Sequence, residues 1–216
     1  MSSFRYANTQ FKVEKTRQEE SLRCAFRDAG NKLVLELVLC PNEKSIALCH
    51  LKKSQTCSGT FVFKMGLKFA KQAMKTRFVM HVWDGSVVDN VHLGVLNLLR
   101  NKPTYYERFG FEFLDQAAIR RSKSRANFLA SQNMQEVHQA CSDLQGVTSY
   151  VANHVAMHLK RTRCKTFGQF VRKASLRILR DLFDLSDLAG RSTTFFGLLF
   201  DLKLSYPSQL FLEVDF

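Results

Sequence analysis

The stretch from Leu33 to Trp83 constrains the fold more than any other part of the chain, because it writes five elements in a fixed order. Leu33–Cys40 is a β-rich apolar run closed by the turn pair Pro41-Asn42, and Ser45–Leu51 is a second such run, so the two read as a hairpin. Lys52–Thr60 (KKSQTCSGT) is polar and small, a loop leading into a helix N-terminus. Phe61, Met65, Phe69 and Ala73 then recur every fourth residue, one helical stripe with Lys64, Lys68, Lys71 and Lys75 on the other face. Arg77–Trp83 is a third strand, ended by Asp84-Gly85. A hairpin followed by a strand–helix–strand unit implies an α/β (α+β) fold with a mixed, mostly antiparallel sheet flanked by helices.

The flanks are less regular. Residues 4–29 suggest a strand around Phe4–Val13 followed by a short helix, and Val87–Leu99 is helical by pattern until Pro103 breaks it. From Gln116 onward the strand signal fades. Arg120–Cys141 and Gly146–Arg163 read as helices. Phe167–Leu188 is a third, with Phe167, Val171, Ala174, Ile178, Leu182 and Leu185 as its apolar stripe. The tail Phe195–Phe216 is apolar and expected to pack back on the body. This divides the chain into a domain over 1–115 and a helical extension over 116–216.

Charge supplies the first functional clue. The 216 residues carry a formal net charge of +13. Residues 116–180 hold 12 basic and 2 acidic side chains, and no acid lies between Asp143 and Asp181. Such a surface attracts polyanions, so a nucleic acid or an acidic protein is an expected partner through residues 120–180; a basic face that merely docks on the acidic C-terminal block is the alternative. The six cysteines are scattered singly with no CxxC. They read as reduced thiols of an intracellular protein, in cytoplasm or nucleus. The N-terminus lacks an apolar signal core, and no apolar run is long enough to span a bilayer.

Tyr105–Phe111 reads YYERFGF. Placed after the strand–loop–helix–strand series, it resembles the FYEKxGF signature of the GCN5-related N-acetyltransferase (GNAT) superfamily. The resemblance covers roughly residues 30–115. It implies transfer of an acetyl group from acetyl-CoA to an amine of a protein or small molecule, with Tyr106 as the acid that reprotonates the departing thiolate. It also implies that the loop binds the cofactor's pyrophosphate through Ser54, Gln55, Cys57, Ser58, Gly59 and Thr60, where backbone amides at a helix N-terminus meet phosphate. Of the family's loop pattern Gly59 is kept, while Ser54 stands in place of Arg or Gln and Cys57 in place of the middle glycine. His50 and His81, on the strands beside the cleft, are the available imidazole bases, each also readable as a structural histidine.

Those departures keep a second expectation open: a GNAT-like fold that has lost catalysis and acts as a binding or structural protein through its basic helices. No metal is expected. His154 and His158 share a helix face but lack the Glu of a HExxH motif, and Cys40, Cys49, His50 and Cys57 match no compact zinc spacing.

Overall fold

Strands that turn one face of apolar side chains inward build the sheet of a first unit, Met1–Trp83 with Gln209–Phe216. The computed structural model describes residues 2–53, 57–89, 91–144 and 148–215. Five strands, β1 (Ser2–Tyr6), β2 (Thr9–Gln18), β3 (Ser21–Arg27), β4 (Leu33–Cys40) and β5 (Ser45–Leu51), follow one another as antiparallel neighbours. Helix α1 (Gly59–Met74) then crosses to β6 (Phe78–Trp83), which runs parallel to β5. The C-terminal strand, β10 (Gln209–Val214), pairs antiparallel with β6 from Gln209↔Trp83 to Val214↔Phe78. The fold is thus mixed α/β, with a largely antiparallel sheet and one parallel pair.

The short helix expected before residue 29 is absent; that region is the β2–β3 hairpin. Only Phe11 and Val13 on β2, and Cys24 and Phe26 on β3, are buried, so the two-residue period is carried by four positions among polar ones. Ala7 (φ 50°) and Glu19 (φ 44°) make the turns in the left-handed region without any glycine to announce them.

Helix α1 lays Val62, Phe63, Met65, Gly66, Phe69 and Ala70 on β4 and β5. Phe69 meets Phe26 edge to face at 4.8 Å and Phe4 at 5.3 Å. Gly66 permits the close approach, since a Cβ there would stand 2.6 Å from Leu35 Cδ2. The buried face is wider than the four-residue stripe suggests, and Ala73 at its end is exposed. A wide flat sheet takes more than one row of side chains from a helix.

The second unit spans Asp84–Ser208 and is mainly helical. A two-residue hairpin, β7 (Val87–Val88) with β8 (Val91–His92), precedes α2 (Leu93–Leu99), where the sequence pattern suggested continuous helix. A 3₁₀ turn (Glu107–Phe109) and β9 (Glu112–Phe113) lead to α3 (Gln116–Ser131), α4 (Met134–Ser142), α5 (Thr148–Arg161), α6 (Phe167–Lys173), α7 (Leu176–Ala189) and α8 (Thr194–Ser205). Two of the long helices expected from sequence are each broken once. Asn133 interrupts the first by capping α4 through its side chain, which accepts from Gln135 N at 2.9 Å. The second breaks at Ala174-Ser175, where both residues are extended. Phe167, Phe183, Phe196, Leu179, Leu182 and Leu199 form the interior.

The division falls at 83/84 and 208/209 rather than at 115/116. Helix α2 packs on α3, which draws residues 84–115 to the helices, and the last strand completes the sheet of the first unit.

Candidate functional site

In the first unit the loop between β5 and α1 lies where the parallel pair ends. The β5–β6 ladder runs from Ser45↔Val79 to Leu48↔Val82, and β5 continues three residues beyond it. Crevices at the carboxyl ends of parallel strands are where open α/β sheets take ligands. Ser58 caps α1, its Oγ accepting from Phe61 N at 3.2 Å. Gly59 and Thr60 therefore open the helix with backbone N–H groups that have no acceptor within it, and no acid lies in the first turn. Cys57 is buried, while Ser58 and Thr60 are exposed. Ser54 and Gln55 lie outside the described residues.

The two histidines sit on the sheet face turned away from α1. On β6, Phe78, Met80 and Val82 are buried against the helix side and His81 and Trp83 are exposed on the other, Trp83 to 65%. A bulge places His50 on the same face as His81. Leu37 pairs with Leu48 but Glu36 pairs with His50, so Cys49 is the extra residue and the alternation resets. His50 lines an open groove of about 680 Å³ together with Arg27, Asn31, Lys32, Lys52 and Lys53. Arg27 is tied to Glu14 at 3.2 Å, whereas Lys52 and Lys53 are exposed beside the loop.

In the second unit, local chemistry explains the conformation of YYERFGF. Thr104 and Glu107 form a reciprocal cap: Thr104 N donates to Glu107 Oε2 at 2.7 Å and Glu107 N donates to Thr104 Oγ1 at 3.3 Å. Gly110 takes φ 86°, turning the chain so that Phe111 packs 5.6 Å from the Tyr106 ring. Tyr106 is 6% exposed, and burial, then the negative charge of Asp84, pushes its phenol well above the usual range.

Asp84 is the centre of a buried polar group whose other members, Tyr206 and His92, nothing in the sequence connects to it. It is 2% exposed, its Oδ2 accepts from Tyr206 Oη at 3.2 Å, and its Oδ1 has no hydrogen-bond partner. Burial and the same carboxylate push the Tyr206 phenol up. His92 stacks edge-on against Tyr206 at 4.8 Å, and its Nδ1 accepts from Val95 N at 3.4 Å, capping α2. Burial holds its imidazole below the ordinary 6.5. In sequence Asp84 looks like half of a turn pair, and Tyr206 lies 122 residues away, so no local signal links them.

Three acids of the C-terminal block, Asp181, Asp187 and Asp201, are committed to basic partners. Asp181 binds Arg180 at 3.2 Å and His154 at 3.3 Å, Arg191 binds Asp201 at 2.8 Å, and Lys203 binds Asp187. His154 and His158 share a face, with ring centroids 4.9 Å apart. Among the described residues no group of three or more His, Cys, Asp or Glu side chains is placed to hold a metal ion. None of the described helices is long and apolar enough to cross a membrane.

No family model matches the chain, and no curated protein or solved structure matches it.

Proposed function

We propose that the chain is an N-acyltransferase of the GNAT type, using acetyl-CoA to acetylate an amine. The observation that carries this reading is the β5–loop–α1–β6 crossover: a single parallel pair within an antiparallel sheet, with a helix start that carries no acid in its first turn beside the strand ends. The residues present fit a polyphosphate group. The Gly59 and Thr60 amides point their partial positive charge at an anion, no carboxylate stands in the first turn to repel it, and Lys52 and Lys53 add charge. Bound acetyl-CoA would supply an activated thioester carbonyl. Tyr106 keeps its proton at neutral pH, because burial disfavours its phenolate, which is the state required of the acid that the resemblance assigns to it. His50 and His81, on the open sheet face, are the groups to take the proton of the amine; they lie on different strands, and His81 is exposed.

Calorimetry with acetyl-CoA tests the reading. Micromolar binding by wild type and its loss in Gly59→Trp are expected, with Tyr106→Phe retaining binding and losing transfer. Absence of binding at millimolar cofactor would overturn it.

A second reading has its own observation. Lys160, Arg161, Arg163, Lys165, Arg172, Lys173 and Arg177 are all exposed; Asp187 and Asp201 pair with Lys203 and Arg191 outside the basic segment, and Asp181 takes Arg180 and His154 from within it. These seven cations are therefore not the ones that Asp181, Asp187 and Asp201 engage, and they suit a polyanion such as nucleic acid. Binding to a short DNA duplex that weakens steeply with salt and is lost in the triple variant Arg172→Glu, Lys173→Glu, Arg177→Glu supports this reading; salt-independent or absent binding removes it.

A further inference from the structure

A cavity of about 310 Å³ lies wholly within the second unit, walled by Asp84, Ser86, Gly94, Asn97, Arg100 and Tyr105, with Arg108 and Leu176 also bordering it. Its volume is at the small end of ligand pockets, room for a metabolite of amino-acid size. The wall holds opposite charges. Asp84 is buried with one carboxylate oxygen unpartnered, and a native structure seldom leaves such an acceptor without a donor. Among the described residues Arg100 donates its Nε to the Val171 carbonyl, at 3.1 Å, which leaves the terminal nitrogens of its fork for another acceptor. Arg108 is exposed and brings a second guanidinium.

The cavity is built rather than incidental. A Cβ at position 94 would fall 2.3 Å from Tyr206 Oη, so glycine is what lets Tyr206 reach Asp84 and hold it in the wall. Tyr105 is fixed from two sides by edge-to-face contacts with Tyr106 at 5.2 Å and Phe109 at 5.3 Å. Asn97 and Ser86 add neutral polar groups between the charges.

We infer that this cavity binds a small zwitterion, an aliphatic amine bearing a carboxylate, with its ammonium at Asp84 and its carboxylate at Arg100 and Arg108. A cation alone would face two guanidinium groups, and an anion alone would meet the Asp84 charge in a poorly solvated site. A ligand carrying both charges satisfies each end and leaves no wall group in conflict. The inference stands independently of acyl transfer, since none of these residues belongs to the β5–α1 loop.

The test measures binding by calorimetry and thermal shift, using the ω-amino acids from glycine to 6-aminohexanoate as probes, with butyrate and butylamine as single-charge controls. One chain length is expected to bind best and at least roughly tenfold more tightly than either control, the factor that a charge-assisted hydrogen bond contributes. Leu176→Trp, at a position 40% exposed and so tolerant of bulk, is expected to close the cavity and abolish binding. Arg108→Glu, also exposed, is expected to weaken binding about tenfold with the fold intact by circular dichroism. Asp84→Asn removes the ammonium partner but risks the buried Tyr206 bond, so the two exposed substitutions decide the question. The proposal fails if no zwitterion binds more tightly than both controls, or if binding survives Leu176→Trp unchanged.

Discussion

The two units are stabilised in different ways. In the first, most of the sheet is a run of hairpins between strands adjacent in sequence, and one helix covers it with a broad apolar face. In the second, the decisive contacts join distant residues: Asp84 with Tyr206, Ser122 Oγ with the Ser205 carbonyl, and Arg100 with the Val171 carbonyl. Local pairing leaves a record in the sequence as alternation and turn residues. Long-range polar contacts leave none, and they place charge and hydrogen-bonding groups inside. The unit that is harder to read is therefore also the one with the buried chemistry.

The comparison breaks first on the apolar cores, which should be equally costly to open. Phe26 and Phe183 are both 0% exposed. Phe26→Ala and Phe183→Ala are each expected to lose about 3–5 kcal/mol in denaturant titrations. A marked inequality would show that one core relaxes around the gap.

Glycine sharpens the contrast. At Gly94 an added methyl meets the ring and hydroxyl of a Tyr held by Asp84, whereas at Gly66 it meets the methyl of Leu35. Gly94→Ala is expected to destabilise by about 2–3 kcal/mol. Gly66→Ala is expected to stay within about 1 kcal/mol of wild type, because the Leu35 side chain can yield and alanine is the better helix former. Equal losses in the two variants would mean that Tyr206 is as free to move as Leu35.

Caps give effects of about 1 kcal/mol in either unit. Thr193 accepts from Phe196 N at 3.3 Å and Ser58 from Phe61 N at 3.2 Å, so Thr193→Ala and Ser58→Ala are expected to lower stability by similar amounts. The His92 cap adds a pH dependence that belongs to the second unit alone. Its folded imidazole titrates below the ordinary 6.5, so the unfolded chain binds the proton first. The His92 contribution is whole above about pH 6.5 and declines as the pH falls below it. His92→Asn keeps a capping acceptor and should remove that slope from the pH-stability profile.

The smallest effect is expected at the surface of the first unit. Arg77 joins Glu213 at 2.6 Å and Asp215 at 3.0 Å, with all three side chains more than half exposed. Arg77→Ala is expected to cost less than about 1 kcal/mol and to cost less still in high salt.

What the sequence by itself determined is the β4–β5 hairpin, helix α1 and strand β6, because apolar runs closed by turn residues and a four-residue helical stripe are local and match the structure nearly residue for residue. At Tyr105–Leu114 the sequence suggested a closing strand, whereas Thr104, Glu107 and Gly110 make a turn there and leave only Glu112–Phe113 as strand. The sequence did not announce β2 and β3 as a hairpin, since their two-residue period rests on only four buried positions among polar ones. The tertiary structure decided that Gln209–Val214 is a strand beside β6 and that His50 joins the face of His81 through one bulged residue. It also decided that Asp84 is a buried charge held by Tyr206 rather than the end of a turn. A hydrogen bond across 122 residues is fixed by packing, and packing is a property of the folded chain that no window of sequence contains.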